Sequence, residues 1–421
     1  MTPQNSQHIG RVAFLVMLLL AITALSACEK NNEEDYPITD KEFKRGTDGL
    51  EIEFLKSAPP GTTIENMEFR VICRVYNRGG YDTSNVYLTA SLERDYMCIT
   101  TDSIDDNGNK ACAEYSDEDK EKIQKITELR KKFPELNAQL ALVESQLELE
   151  NKKSEKDDNE LLRLESEIKK KKQEIQENVE EIAKIEETLT LISKYFTKDA
   201  GIMRGRSIYY PEGSPKEIIF DARTKMIDAL STRHTSTVAL TACYSYTTEI
   251  GDDICIDTDI YGTGILNKVC TLEEHSYSGQ GAPVVIEGIK ITMLPHGTEG
   301  VVPQFIISVK NKGNGNVIAT EKVKHACSAT GLNRDDWNTV NLTTFRFTYK
   351  GREYTNTDGS ITCKKNPITL EDNKGEIRCT LKDEFSIPKS EPAFITQFFV
   401  KLDYGYTFTI SKDVVIEKQL I

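Results

Sequence analysis

Cysteine is the side chain with the most chemistry to offer in this chain, and its spacing is informative. Ten cysteines occur in 421 residues. Three pairs sit at similar short separations: Cys98 with Cys112, Cys255 with Cys270, and Cys363 with Cys379. A disulfide closing a loop of about 15 residues contributes about 3 kcal/mol by removing freedom from the unfolded chain. Such bonds belong to oxidising compartments. With Cys28 set aside, Cys73, Cys243 and Cys327 remain. Cys73 and Cys243 both fall in strand-like segments and are the candidate fourth pair, which leaves Cys327 alone. Connectivity does not follow from sequence, so these pairs are expectations. Zinc is the competing use of the thiols, but no Cys-x-x-Cys or His-x-x-x-His spacing occurs and the five histidines are scattered. No metal ligand set and no cofactor is expected.

Other candidates for chemistry are sparse. Asp102, Asp105, Asp106, Asn107 and Asn109 make an acidic loop resembling part of a calcium site, without the terminal Glu of an EF-hand. Asp252, Asp253, Asp257 and Asp259 invite the same comparison, and a solvated disulfide loop is the preferred reading of both. There is no Gly-x-Ser-x-Gly, no P-loop and no Rossmann glycine run between strand and helix, so no catalytic residue is assigned and no enzyme is expected. Asn341-Leu342-Thr343 fits the N-glycosylation pattern, which arises readily by chance. Tyr404 and Tyr406 alternate on one strand face and read as packing, as does Trp337, the single tryptophan.

Cys28 is different because of what precedes it. Residues 12–25 are almost wholly apolar and follow Arg11. A spanning helix needs about 20 apolar residues, so this shorter run reads as the core of a signal peptide, residues 1–27. It ends in Leu25-Ser26-Ala27-Cys28, which resembles the lipobox of bacterial and some archaeal lipoproteins. Small Ser26 and Ala27 suit a peptidase cleft, and the Cys28 thiol would become a lipid thioether. One acyl chain anchors weakly, at about 0.8 kcal/mol per buried CH₂, so stable anchoring implies two or more. Residues 28–48 read as a polar tether. The expected location is the extracytoplasmic face of a membrane, cell surface or periplasm. A net charge of −14 repels phosphate and argues against nucleic acid or an anionic membrane surface as a partner.

The elements that would carry these residues alternate between two periodicities. Phe69-Arg70-Val71-Ile72-Cys73-Arg74-Val75 steps by two and stops at Asn77-Arg78-Gly79-Gly80, a strand followed by a sharp turn. Further strands are expected at 86–92, 207–210, 216–220 and 238–246. Between them, residues 117–198 hold one proline and no glycine. There Ile126, Leu129, Phe133, Leu136, Leu140, Val143 and Leu147 step by three and four, then Leu161, Leu164, Ile168, Ile175, Ile182, Ile185, Leu189, Ile192 and Phe196. That is the seam of a coiled coil. Folding back near Glu155-Lys156 sets Leu147 against Leu164, Val143 against Ile168, Leu136 against Ile175, Leu129 against Ile182, and Tyr115 against Phe196. It also sets Lys171 opposite Leu140 and Asn178 opposite Phe133, next to Pro134, where a bent or loose rod is expected.

Gly279-Gln280-Gly281-Ala282-Pro283 reads as a linker. Beyond it Phe305-Ile306-Ile307-Ser308-Val309-Lys310-Asn311-Lys312-Gly313 echoes residues 69–79, both ending in Val-x-Asn-x-Gly, where Asn and Gly would tolerate positive φ. The expected architecture is mainly β with an α insertion. Residues 49–112 and 200–278 form one immunoglobulin-like sandwich, 113–199 a coiled-coil hairpin inserted in it, and 283–421 a second sandwich.

These strand–Asn-x-Gly copies resemble the CARDB-type immunoglobulin-like domains of prokaryotic surface proteins. More specifically, Gly49-Leu50 with Phe54-Leu55 and Pro59-Pro60, Ala242-Cys243-Tyr244-Ser245-Tyr246, Gly279-Gln280-Gly281-Ala282-Pro283 and Leu402-Asp403-Tyr404-Gly405-Tyr406 resemble a group of uncharacterised archaeal surface proteins. The resemblance implies two extracytoplasmic β-sandwiches and no enzymatic activity. The expected role is structural, adhesive or partner-binding, with self-association or a protein partner on the helical rod. The alternative is a periplasmic adaptor of an efflux or secretion machine, although no lipoyl half-motifs flank the hairpin and its tip is charged.

Overall fold

The computed structural model describes residues 40–105, 108–114, 117–153, 157–260, 262, 268–328 and 332–419. The expected leader, Cys28 and most of the tether lie outside the described residues. So do Tyr115, Asp106, Asn107, residues 154–156 and the side chains of Leu189 and Ile192.

Among the described residues strand makes up 48% and helix 23%, so the protein is mainly β. β1 (Leu50–Phe54), β2 (Thr62–Ile64), β3 (Glu68–Asn77), β4 (Thr83–Leu92), β5 (Met97–Ile104) and β6 (Lys110–Cys112) come first. Two helices follow, α1 (Asp117–Asn151) and α2 (Asp158–Phe196). Next are β7 (Thr197–Met203), β8 (Pro215–Thr224), β9 (Arg233–Ile256), β10 (His275–Ser276), β11 (Val284–His296), β12 (Gly300–Asn311) and β13 (Asn316–Ile318). After the one-turn helix α3 (Val323–Ala326) come β14 (Thr339–Tyr349), β15 (Arg352–Thr355), β16 (Ile361–Lys364) and β17 (Ile368–Thr369). β18 (Lys374–Leu381), β19 (Ile387–Pro388) and β20 (Phe394–Glu417) complete the chain.

These strands form three sheets. One runs β1-β3-β8-β5-β6; a second runs β10-β11-β12-β18-β16, with β19 on β12. The third runs β15-β14-β20-β9-β4-β7, with β13 and β2 on β20 and β17 on β14. Strand alternation explains the burial. In β3, Val71, Cys73 and Val75 are buried, while Arg74 points outward to Glu217 on β8 at 2.7 Å.

The third sheet joins the two halves of the sequence. β9 and β20, each 24 residues, pair antiparallel along their whole length, from Phe394 opposite Ile256 to Glu417 opposite Arg233. A strand of that length reaches about 80 Å at 3.3 Å per residue. One continuous apolar core holds residues from all three sheets, among them Val71, Tyr244, Phe305 and Tyr404. Residues Phe43–Ile421 form one compact unit. The segment read as a linker is buried within it, Gln280 exchanging both side-chain hydrogen bonds with Ile286.

α1 and α2 pack on each other through Ile126, Leu129 and Ile182, flanked by Ile123, Phe133 and Ile185. Lys125 pairs with Glu181 at 2.5 Å and Lys172 with Glu144 at 2.9 Å. Pro134 lies inside α1, which continues through it.

Two further expectations need correction. Residues 207–210 are not a strand: Ser207 and Tyr210 exchange backbone hydrogen bonds of 3.0 and 3.1 Å, closing a tight turn. The fourth disulfide is Cys243–Cys327, and Cys73 is a free, buried thiol. Strand parity is the reason. Tyr244 on β9 points into the core that holds Cys73, so Cys243 points to the opposite face of the sheet, where it packs with Ile318, Val323 and Cys327. The other three pairs form as expected: Cys98–Cys112, Cys255–Cys270 and Cys363–Cys379.

Burial raises the Cys73 thiol to about 12, which suppresses the reactive thiolate. The native protein is therefore expected to keep Cys73 unmodified by iodoacetamide at neutral pH, and to alkylate it once unfolded without reductant. Peptide mass mapping reads the result, and modification of Cys327 instead would contradict the assigned pairing.

Candidate functional site

The most densely organised polar site lies where β9 and β20 cross their midpoints. Ser245 stands opposite Gly405, with Tyr244 opposite Tyr406 and Tyr246 opposite Tyr404. All four tyrosines are buried, and buried hydroxyls need partners. Tyr246 Oη donates to Asn77 Oδ1 at 3.1 Å and accepts from the Tyr81 amide at 3.4 Å. Tyr406 Oη donates to Asn311 Oδ1 at 3.1 Å and accepts from the Gly315 amide at 2.8 Å.

Each asparagine also ties its own turn. Asn77 Nδ2 donates to Tyr81 O at 2.8 Å and Asn77 Oδ1 accepts from Gly79 N at 3.2 Å. Asn311 Nδ2 donates to Gly315 O at 2.9 Å and Asn311 Oδ1 accepts from Gly313 N at 3.1 Å. The outer tyrosines repeat as well: Tyr244 Oη accepts from Leu50 N at 3.2 Å, and Tyr404 Oη from Val284 N at 3.3 Å. Leu50 and Val284 stand opposite Asn77 and Asn311 in their sheets. Two halves of one chain thus make the same lattice about a local twofold between β9 and β20. Asparagine and tyrosine are 169 residues apart in the first half and 95 in the second, and the difference of 74 is close to the span of α1 and α2.

The Val-x-Asn-x-Gly repeat is therefore explained by side chains and close approach. Neither Asn77 nor Asn311 has a positive φ. A Cβ on Gly79 would lie 1.8 Å from Tyr246 Oη, and one on Gly313 would lie 2.3 Å from Tyr406 Oη. Burial pushes the Tyr406 hydroxyl up to about 12 and raises those of Tyr244, Tyr246 and Tyr404, so at neutral pH they are neutral donors and acceptors.

Over the two turns lies a groove of about 790 Å³, lined by Glu51, Arg78, Lys312, Phe408 and Ile410 among others. Several of its charges pair within it or beside it: Arg78 with Glu51 at 2.8 Å and with Glu212, and Lys312 with Glu287 at 3.7 Å; Arg206 and Asp48 also line it. A second cleft, about 460 Å³, opens beside Pro134 between the helices and the segment carrying α3. There Arg130 Nη2 meets His325 Nδ1 at 3.0 Å.

The acidic loops are tied to nearby cations. Lys268 pairs with Asp257 at 2.7 Å and Asp259 at 3.4 Å, and Arg223 with Asp105 at 2.8 Å. Asp252 accepts from Tyr277 at 3.0 Å. Among the described residues no group of three or more His, Cys, Asp and Glu is placed to hold a metal ion. Asn341 is half-buried in β14 opposite Asp403, and Trp337 is partly exposed and bridges to Ile318. No known protein family matches the chain, and no curated protein matches it.

Two outcomes follow from the tyrosine lattice. Tyr246→Phe strands the Tyr81 amide and leaves Asn77 Oδ1 with only its bond from Gly79 N, and Tyr406→Phe does the same to the Gly315 amide and Asn311 in the second half. Each is expected to cost about 1–3 kcal/mol in urea unfolding. Gly79→Ala should be costly too, against a negligible effect at Gly61, whose added Cβ meets nothing within 4 Å. The pH dependence has a definite sign. An unfolded tyrosine ionises near 10, whereas the buried ones resist, so their stabilisation is complete below pH 10 and is lost as pH rises towards 12. The urea midpoint should fall across that window, less steeply in Tyr406→Phe.

Proposed function

We propose that the protein is a surface lipoprotein held by lipid on Cys28, working as a binding or adhesive module whose helices engage a protein partner or a second copy. The observation that carries the binding part is on the helices. Leu142 and Leu149 of α1 are 60% and 65% exposed, and Leu162 of α2 is 66% exposed. A step of seven places Leu142 and Leu149 on one face of a helix. Folding back near 155 brings Leu149 level with Leu162. Such a register agrees with the Lys125–Glu181 and Lys172–Glu144 pairs and with Leu129 packing near Ile182. In this reading α1 and α2 are an antiparallel coiled-coil rod about 50 Å long, at 1.5 Å per residue, with leucines left bare near its far end. Burying one leucine side chain contributes about 1.5–3 kcal/mol, so a bare group of three favours a docking face.

The β part is read as two immunoglobulin-like sandwiches fused through the third sheet, in keeping with the resemblance to CARDB-type domains. Four disulfides support an oxidising compartment. The role is taken to be non-enzymatic, in keeping with that resemblance.

The test replaces Leu149 and Leu162 by Glu in the full mature chain. Sedimentation should show loss of self-association, or capture from envelope extracts should lose a partner that the unaltered chain retains. Identical mass and identical captured proteins for both forms would refute the helical docking face.

A further inference from the structure

The turn that replaces the expected strand at 207–210 has an unusual surface. Its two tip residues, Ile208 and Tyr209, are 55% and 88% exposed, and Tyr210 beside them is 40% exposed. The tip is not loose chain. The Ser207–Tyr210 backbone pair closes it, Ser207 Oγ accepts from Tyr210 N at 3.2 Å, and Gly213 N donates to Tyr210 O at 2.9 Å. A fixed turn that displays isoleucine and tyrosine to water gains nothing from the fold for doing so.

Its surroundings are cationic. Among the described residues Lys44, Arg45, Arg204 and Arg206 form no ion pair, while the adjacent Glu212 is taken by Arg78. Arg204 sits over the Tyr210 ring at 5.8 Å. Arg206 Nη2 donates to Arg45 O at 3.0 Å, and Arg206 Nε is buried without a partner. That Arg45 contact also fixes where the tip lies along the chain. The compact unit begins at Phe43, only 15 residues after Cys28 (43 − 28). Fifteen residues span at most about 50 Å. The apolar tip is thus fastened to the stretch of chain that leads directly to the expected lipid.

We propose that the Ser207–Tyr210 turn is a membrane-contacting tip, seating Ile208 and Tyr209 at the headgroup–acyl boundary with Arg45, Arg204 and Arg206 on lipid phosphates. This rests on the lipid-anchor reading of Cys28. A convex tip with two apolar side chains is far smaller than the roughly 800 Å² per partner of a stable protein interface. It suits a fluid apolar phase, where tyrosine keeps its hydroxyl at the wet boundary. The overall charge of −14 opposes an anionic surface at long range, and Arg45, Arg204 and Arg206, without ion pairs among the described residues, are the local counterweight, beside Asp82, whose carboxylate accepts from the Gly205 amide at 2.9 Å. A second exposed apolar turn, with Leu230 fully exposed, follows the other end of β8. Ten strand residues separate the two by about 33 Å, so it serves as an internal control.

The experiment uses the full mature chain with Trp337→Phe, which removes the single native tryptophan, and a reporter introduced by Tyr209→Trp or, separately, Leu230→Trp. Each is reconstituted on vesicles of mixed phosphatidylcholine and phosphatidylglycerol, with or without bromine on the acyl chains. Mass spectrometry of the amino-terminal peptide first reads the lipid on Cys28. The expected result is about twofold or greater quenching at position 209, with a blue-shifted emission, and none at 230. Lipid present with no quenching at 209, or equal quenching at both positions, overturns the tip and leaves the anchor standing. A bare Cys28 overturns the anchor, and the tip with it.

Discussion

The full-length pairing of β9 with β20 is the constraint on which the rest of the architecture depends. Two strands of 24 residues cannot exchange ladder hydrogen bonds over such a length unless their register is pinned, because a slip of one residue turns every side chain to the wrong face. The pin is at the centre. Tyr244, Tyr246, Tyr404 and Tyr406 all point into the core, and each hydroxyl reaches a backbone amide from a different strand or turn. A slip of two residues would keep the same face inward but carry all four phenolic oxygens away from these amides, and a buried hydroxyl without a partner costs about 1–3 kcal/mol. Burying polar groups here selects one arrangement among many apolar ones.

That pin also explains why the two halves are not separable modules. Residues 279–283 look like a linker because they are glycine-rich and hold a proline. Instead, Gly281 donates to Gly46 O, Gly80 donates to Gly281 O, and Gln280 closes a loop on Ile286. Small residues are needed there because three backbone segments meet side by side. The composition of a flexible linker and of a tight backbone crossing is the same, and only the partners across the chain distinguish them.

The same limit marks what the sequence conveyed and what it withheld. The repeat Val-x-Asn-x-Gly was visible as a pattern, and so was the Tyr-x-Tyr alternation at 244–246 and 404–406. Their joint meaning was not, because asparagine and tyrosine lie 169 and 95 residues apart and nothing local connects them. The short disulfides could be read from spacing, since 14 to 16 residues of intervening chain hold each pair close. Cys243–Cys327 spans 84 residues and depends on which face of β9 each side chain takes. Helical periodicity was the strongest local signal, and α1 and α2 follow it. The turn at 207–210 was misread because Ile208, Tyr209 and Tyr210 have strong strand propensity, whereas hydrogen bonding between Ser207 and Tyr210 decides their conformation.

Cys327 links these layers. Its carbonyl accepts from Thr89 Oγ1 at 2.5 Å and from Thr197 Oγ1 at 2.9 Å, and Thr197 is the first residue after α2. Its sulfur is bonded to Cys243, one residue before the tyrosine pair on β9. Two residues earlier, His325 meets Arg130 on α1. The segment 320–328 therefore touches the residue that follows α2, the helix α1 and the central strand together, and the disulfide fastens it to the part of the sheet that the buried tyrosines hold in register. A helix pair rooted only through the strand ends at Cys112 and Thr197 would swing on two short connections. Through Arg130 and His325, α1 bears as well on a disulfide-fastened segment, away from those strand ends.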